Sequence, residues 1–212
     1  MEETQEAHNH LIDQVNTLQV TISTMENKLM DIEDRARRNN LRLWGIPETV
    51  APADLQAYLH EFFHVLSPDT PSAMLLLDRA HRIPKPQHLP PSVPRDVILC
   101  AHYHHIKEII LKQSRNNKNI PSKYTDIKIF PDLSAATLRR RKTFQPITTI
   151  LRQHQIAYRW GYPLKLLISK EGATKVLNSP EDGEKLLREW NLPTPSKPTR
   201  ETAALHREWR KA

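Results

Sequence analysis

The chain has 212 residues and carries 31 Lys and Arg against 24 Asp and Glu, a net charge of +7, which leaves room for one or two small domains. Only four glycines and no GxGxxG or GxxxxGK[ST] string argue against a glycine-built phosphate cradle, the single Cys100 excludes an internal disulfide framework, and no apolar run approaches the roughly 18 residues of a membrane span. Glu2, Glu3 and Glu6 stand where a basic leader would begin, so the expectation is a soluble protein of a reducing compartment without a secretory signal.

The first element has a clear period. Leu11, Val15, Leu18, Ile22, Met25, Leu29, Ile32 and Ala36 are spaced alternately by 4 and 3, with Val15, Ile22, Leu29 and Ala36 at a and Leu11, Leu18, Met25 and Ile32 at d. Such a run without Pro or Gly predicts a left-handed parallel coiled coil, because a helix this polar elsewhere buries its stripe only against further copies of itself. Extending the register backwards puts His8 at a and Thr4 at d, so either the seam frays there or the chain is a shortened form. Lys28 at g, Leu29 at a, Ile32 at d and Glu33 at e approximate the trimer-favouring R-h-x-x-h-E pattern, weakened because Lys lacks the guanidinium fork. Dimer against trimer stays open on the heptads alone.

After Arg35, Arg37, Arg38, Asn39 and Asn40 the period changes. "LRLWGI" reads as a strand stopped by Pro47, and "PADLQAYLHEFFHVL" as a helix. "AMLLLDRAHRI" and "RDVILCAHYH" read as strands flanking a proline-rich loop, "HIKEIILKQSR" as a second helix and "DIKIF" as a fourth strand. The order β-α-β-β-α-β is that of a ferredoxin-like sandwich, the frame of RNA-recognition (RRM) domains. Beyond Pro131 a basic helix "SAATLRRRKTFQPITTILRQH", two short strands "AYRW" and "LKLLI", and the helical "SPEDGEKLLREW" predict a second, smaller α/β unit. From Pro193 the chain reads as a disordered basic tail. The fold class expected is therefore α+β.

Charge divides unevenly over these elements. Residues 1–36 hold two Lys and Arg against eight Asp and Glu, net −6; residues 100–165 hold 13 against Glu108, Asp126 and Asp132, net +10. So concentrated a basic excess points to a polyanionic partner, against the plainer reading of a solvated basic surface.

Two metal or enzyme readings compete. "HEFFH" at 60–64 has zincin spacing, yet Leu55, Leu59, Phe62 and Leu66 define the helix's apolar face, and His60 and His64 fall on the other side. Cys100, His102 and His104 alternate along one strand and read more simply as spare side chains of a half-buried strand. No enzyme, cofactor or metal site is expected.

The strings "IEDRARRNNLRLWGIPE", "LDRAHRI", "IKIFPDLSAATLRRRKTF" and "RWGYPLKL", in this order behind an acidic coiled coil, resemble the first open-reading-frame protein of LINE retrotransposons, the transposase 22 family. The likeness covers roughly residues 10–192. It implies a coiled coil at 1–38, an RRM-like domain at 39–131 and a C-terminal RNA-binding domain at 132–192, with a tail at 193–212. It further implies a homotrimer that binds single-stranded RNA, coats the element's own transcript in cytoplasmic or nuclear ribonucleoprotein particles and acts as a nucleic-acid chaperone. Position by position, the family's RNA contacts fall on Arg115, on Arg141 and Lys142, and on Arg159, Tyr162 and Lys165; Arg37 and Arg38 form a basic neck at the end of the stalk and are expected to bind RNA there by approaching its phosphates. The stalk contacts implied are Val15, Leu18, Ile22, Met25, Lys28, Leu29, Ile32 and Glu33.

The sequence departs from ordinary RRMs in having Arg42 where the first strand carries an aromatic, and in lacking paired aromatics on the third strand. Stacking on the sheet is therefore not expected to lead, with Trp44 and Tyr103 the residues left for it, and binding should be phosphate-led and weak in sequence preference. The rival reading is a host-adopted structural adaptor whose heads bind protein and no RNA; the +10 region spanning both heads favours RNA.

Overall fold

The structure, a computed structural model, describes residues 2–87, 89–116, 120–161, 164–170 and 172–195. The chain divides into two compact units, Met1–Ser134 and Ala135–Ala212.

The first unit opens with helix α1, Glu2–Ala36. Its stripe at Leu11, Val15, Leu18, Ile22, Met25, Leu29 and Ile32 is 56–67% exposed. On another side of the same helix Met30 and Asp34 are buried, and Asp34 Oδ1 accepts from the backbone N–H of Ser134 at 2.9 Å. The helix thus uses one side within its own chain and leaves the heptad seam bare. It unwinds through a tight turn, Arg38 N–H to Arg35 O and Asn40 N–H to Arg37 O, and the buried Lys107 ammonium donates to the Arg38 carbonyl.

Strand β1, Asn40–Trp44, follows at once. Helix α2 spans Leu55–Leu66, strands β2 and β3 span Leu77–Arg82 and Val97–Ala101, helix α3 spans His104–Asn116, and strand β4 spans Lys128–Pro131. The order across the antiparallel sheet is β2-β3-β1-β4, the ferredoxin-like order expected. One face is apolar at every second residue: Leu41, Leu43, Val97, Leu99 and Ala101 meet Leu55, Leu59, Phe62, Leu66, Ile106 and Ile110 in one core. The second strand is shorter than the sequence suggests, because Ser72–Met74 forms a 3-10 turn first.

Gly45 makes the turn out of β1 possible. Its φ is +83°, and a Cβ there would lie 2.3 Å from the Asp126 carbonyl oxygen. The following Ile46–Val50 segment is tied down by Arg82, which donates to the carbonyls of Ile46 and Pro47, while Glu48 holds the Arg95 guanidinium at 2.9 Å.

In the second unit the expected long helix is two: α4, Ala135–Thr143, and α5, Gln145–Gln153. Pro146 explains the break, since it lacks an N–H and its ring would strike the carbonyl one turn back in a continuous helix, whereas it is tolerated in a first turn. The chain bends at Phe144, which is buried at the centre of a core with Ile147, Leu151, Leu166, Ile168 and Leu187.

Strands β5, Ala157–Gly161, and β6, Lys165–Lys170, form the expected hairpin, and a third strand not expected, β7, Ala173–Leu177, adds to it in the order β5-β6-β7. Of its five residues only Leu177 is buried, so no apolar alternation announced it. Helix α6, Pro180–Glu189, closes the unit, capped by Ser179, whose hydroxyl accepts from the Asp182 N–H. No helix among the described residues is long and apolar enough to cross a membrane.

Candidate nucleic-acid interface

The residues singled out from the sequence lie in both units. In the first, Arg115 is exposed in the last turn of α3. Arg38 is exposed at the end of the stalk, while Arg37 is held from two sides: its Nη1 donates to Asp132 Oδ2 at 3.1 Å and its Nη2 to Glu33 Oε1 at 2.8 Å. Burial works against its charge, but the two carboxylates outweigh that and raise its pKa. Asn40 Nδ2 donates to the same Asp132 oxygen at 3.2 Å, and Asp132 is 4% exposed. Arg37 is therefore a joint between stalk and sheet, and Asp132, which sequence reasoning passed over, is its anchor. Glu33, expected at an interchain position, is engaged within its own chain by this pair.

Beside this joint lies an open hollow of about 400 Å³ lined by Arg37, Asn40, Arg79, His81, Ile98 and Asp132, among others. It continues onto the sheet face that α2 and α3 leave uncovered. In register, a row His81, Ile98, Arg42 and Phe130 crosses that face, with Trp44 opposite Lys128 at one end and Asn40 opposite Cys100 at the other. Arg42 is steadied by Asp96 at 2.7 Å. Trp44 and Phe130 touch, with ring centres 4.6 Å apart at 49°. Phe130 escaped the sequence reading, although strict alternation from the buried Ile127 through half-buried Ile129 places it with Lys128 on the outer side. Tyr103, the other aromatic considered, is half-buried against the core and stacks edge-on with His102 at 4.6 Å.

In the second unit Arg159 is exposed on β5, and Lys165 starts β6 opposite Gly161. The pair is diagonal across the hairpin, a separation of about 7–8 Å between backbones that one phosphodiester can bridge. Arg141 lies on the helix side of the same strand, its guanidinium 4.8 Å from the ring centre of Trp160. Trp160 is itself set edge-on to Phe144 at 5.4 Å. This stacking fixes the plane of a fork suited to phosphate oxygens. Lys142 beside it is exposed. Tyr162 lies outside the described residues, as does the tail from residue 196 onward.

The metal-like strings resolve differently. His60 Nε2 is 3.1 Å from the Ser72 hydroxyl and His64 is exposed, while Leu59, Phe62 and Phe63 form the buried side of the helix away from both. His102 Nδ1 pairs with Asp78 at 2.7 Å. Burial and the neighbouring Asp78 raise the Cys100 thiol pKa, which disfavours the thiolate that metal ligation would need.

No family model matches the chain. It is 30% identical over 153 residues to the LINE-1 retrotransposable element ORF1 protein of Mus musculus, covering 69% of this chain and 42% of that protein. It is 28% identical over 167 residues to the LINE-1 type transposase domain-containing protein 1 of Mus musculus, covering 76% of this chain and 21% of that protein. The chain is a distant homologue of both and spans less than half the length of either.

Proposed function

We propose that this homologue of LINE-1 ORF1 proteins is a non-enzymatic, single-stranded RNA-binding protein of a retrotransposon ribonucleoprotein. It works as a coiled-coil homotrimer and as a nucleic-acid chaperone. The observation that carries the proposal is the bare heptad seam of α1 on a chain whose heads concentrate the basic charge: a stripe more than half exposed from Leu11 to Ile32 demands copies of itself. Homology to a protein named for a LINE-1 element supplies the biological setting.

In this reading Arg115, Arg141, Lys142, Arg159 and Lys165 hold phosphate oxygens. Arg38 adds to the field at the neck, and Arg37 acts by holding the neck in place. Tyr162 offers a ring to a base. Because these contacts are to backbone, the element's own transcript is preferred through proximity to its source more than through sequence. The compartment proposed is the cytoplasmic ribonucleoprotein particle.

Arg159→Ala and Arg115→Ala test the site. Each should weaken binding of single-stranded RNA several-fold while leaving sedimentation and the melting transition unchanged, since exposed arginines contribute within about 0.5 kcal/mol to folding. Unaltered RNA affinity in both variants, or purified protein free of nuclease-sensitive nucleic acid, would favour the adaptor reading instead.

A further inference from the structure

We propose that Trp44 and Phe130 form a base-stacking site on the open face of the first sheet, distinct from the phosphate contacts and resting on the RNA-binding reading above. Trp44 is 47% and Phe130 37% exposed, and neither belongs to the core on the other face of the sheet. Their contact comes from register: Phe130 lies opposite Arg42 and Trp44 opposite Lys128 on paired strands, so the rings meet diagonally between β1 and β4.

The surroundings select the occupant. An apolar protein surface would want apolar neighbours, and apart from the two rings the row offers only Ile98. The other side chains along the outer face include Arg42, Arg79, His81 and Lys128. Rings set among Arg and Lys side chains suit a ligand with a flat π-face on a negatively charged backbone, which is an unstacked nucleotide of a single strand. Strands about 4.8 Å apart make the four-stranded face roughly 14 Å across. That is room for about two or three nucleotides, running from the ring pair towards the hollow beside Arg79 and His81. Arg42, fixed by its ion pair with Asp96, lies between the two ends and offers a held guanidinium edge along the path, with Lys128 and Arg79 flanking it.

The pair sits at positions other than those an RRM ordinarily uses. Trp44 is the last residue of β1, displaced by one pleat from Arg42, and Phe130 is on an edge strand. The aromatic surface missing from the middle of the sheet is restored at its edge.

The full chain, as parent and as Trp44→Ala, Trp44→Phe and Phe130→Leu variants, is titrated against a short oligouridylate and against an abasic oligomer of equal length. Trp44→Ala and Phe130→Leu should weaken oligouridylate binding by about tenfold. They should leave abasic affinity, the salt slope and the melting transition unchanged, and Trp44→Phe should recover most of the loss. Equal losses on both oligomers would mean a general structural effect and overturn the site. Unchanged oligouridylate affinity, with Arg159→Ala still weakening both probes, would overturn the stacking site alone and leave the ring pair to a protein partner. If the parent binds neither oligomer, the RNA reading itself falls and the stacking site with it.

Discussion

Asp132 shows how one buried side chain can decide a joint. Its Oδ2 receives both the Arg37 guanidinium and the Asn40 amide, so Asp132→Ala strands two donors at a place where little water can replace the acceptor. Arg37 is about a third exposed and recovers part of its solvation, which brings the expected loss to about 2 kcal/mol in denaturant unfolding. Asp132→Asn, which keeps one acceptor oxygen, should lose less. Glu48 gives a pH signature in the same unit. Hydrogen bonds from Arg95 hold its pKa down to about 2, from an ordinary 4.5. A depressed carboxylate stabilises the fold fully above the unfolded value and ceases to do so as pH falls through the folded one. The melting temperature should therefore decline between about pH 4.5 and 2 partly through Glu48, and Glu48→Gln should flatten that limb by lowering the plateau near neutral pH while leaving the melting temperature near pH 2 little changed. Neither residue advertised itself in the sequence, because Asp132 finds its partners 95 and 92 positions away and Glu48 finds Arg95 at 47.

Elements were legible where their apolar period was complete. The heptads of α1, the buried face of α2 and the alternation in "LRLW" and "VILCA" each name their structure, since a face packed on a core repeats its apolar residue every pleat or turn. Strand β7 was not legible, because an edge strand with one buried residue satisfies its backbone without declaring an apolar side. The division at Phe144 was written in Pro146, but a Pro is equally compatible with a kink, and the buried Phe144 ring decides for a break. The candidate site was legible as a set of charges and not as a surface: Trp44 and Phe130 become neighbours only when β4 joins the edge of β1. That junction depends on Gly45, where added bulk meets backbone that cannot swing away. Gly45→Ala should destabilise the first unit by about 2–3 kcal/mol, from a strained positive φ together with the clash at Asp126. In differential scanning calorimetry the second unit, which shares no core residue with the first, should keep its transition.

At the scale of the molecule, charge and valency act together. Residues 1–36 carry −6 and residues 100–165 carry +10, so in the proposed mode the stalk would repel the polyanion that the heads attract. The log of affinity for single-stranded RNA should fall linearly with the log of salt, by about 0.7 for each phosphate neutralised. Unrelated sequences of equal length should bind within a few-fold of one another. A flat salt response with steep sequence preference would contradict the proposed mode. Ile22→Asp with Leu29→Asp places like charges at two successive a layers. The double variant should sediment as a monomer, bind a short oligonucleotide as the parent does, and lose about 10²–10⁴ in affinity for long RNA as avidity disappears. Strand annealing should be lost with it; a monomer that still anneals would remove the stalk from the mechanism.

The place of β1 in the sheet sets the order in which the protein can come into being. It is a central strand, paired on one side with β3 and on the other with β4, so the first sheet has no complete form until Lys128–Pro131 has left the ribosome. Helix α1 ends at Ala36 and requires nothing that follows it to display its apolar stripe. At translation speeds of about 5–20 residues per second, the stripe precedes the closed sheet by roughly 5–20 seconds. Ribosomes travelling in file along one message therefore present neighbouring stalks to each other while their heads are still unfinished. In the proposed oligomer, chains from the same message would then meet first, and assembly would become a matter of birthplace before one of affinity.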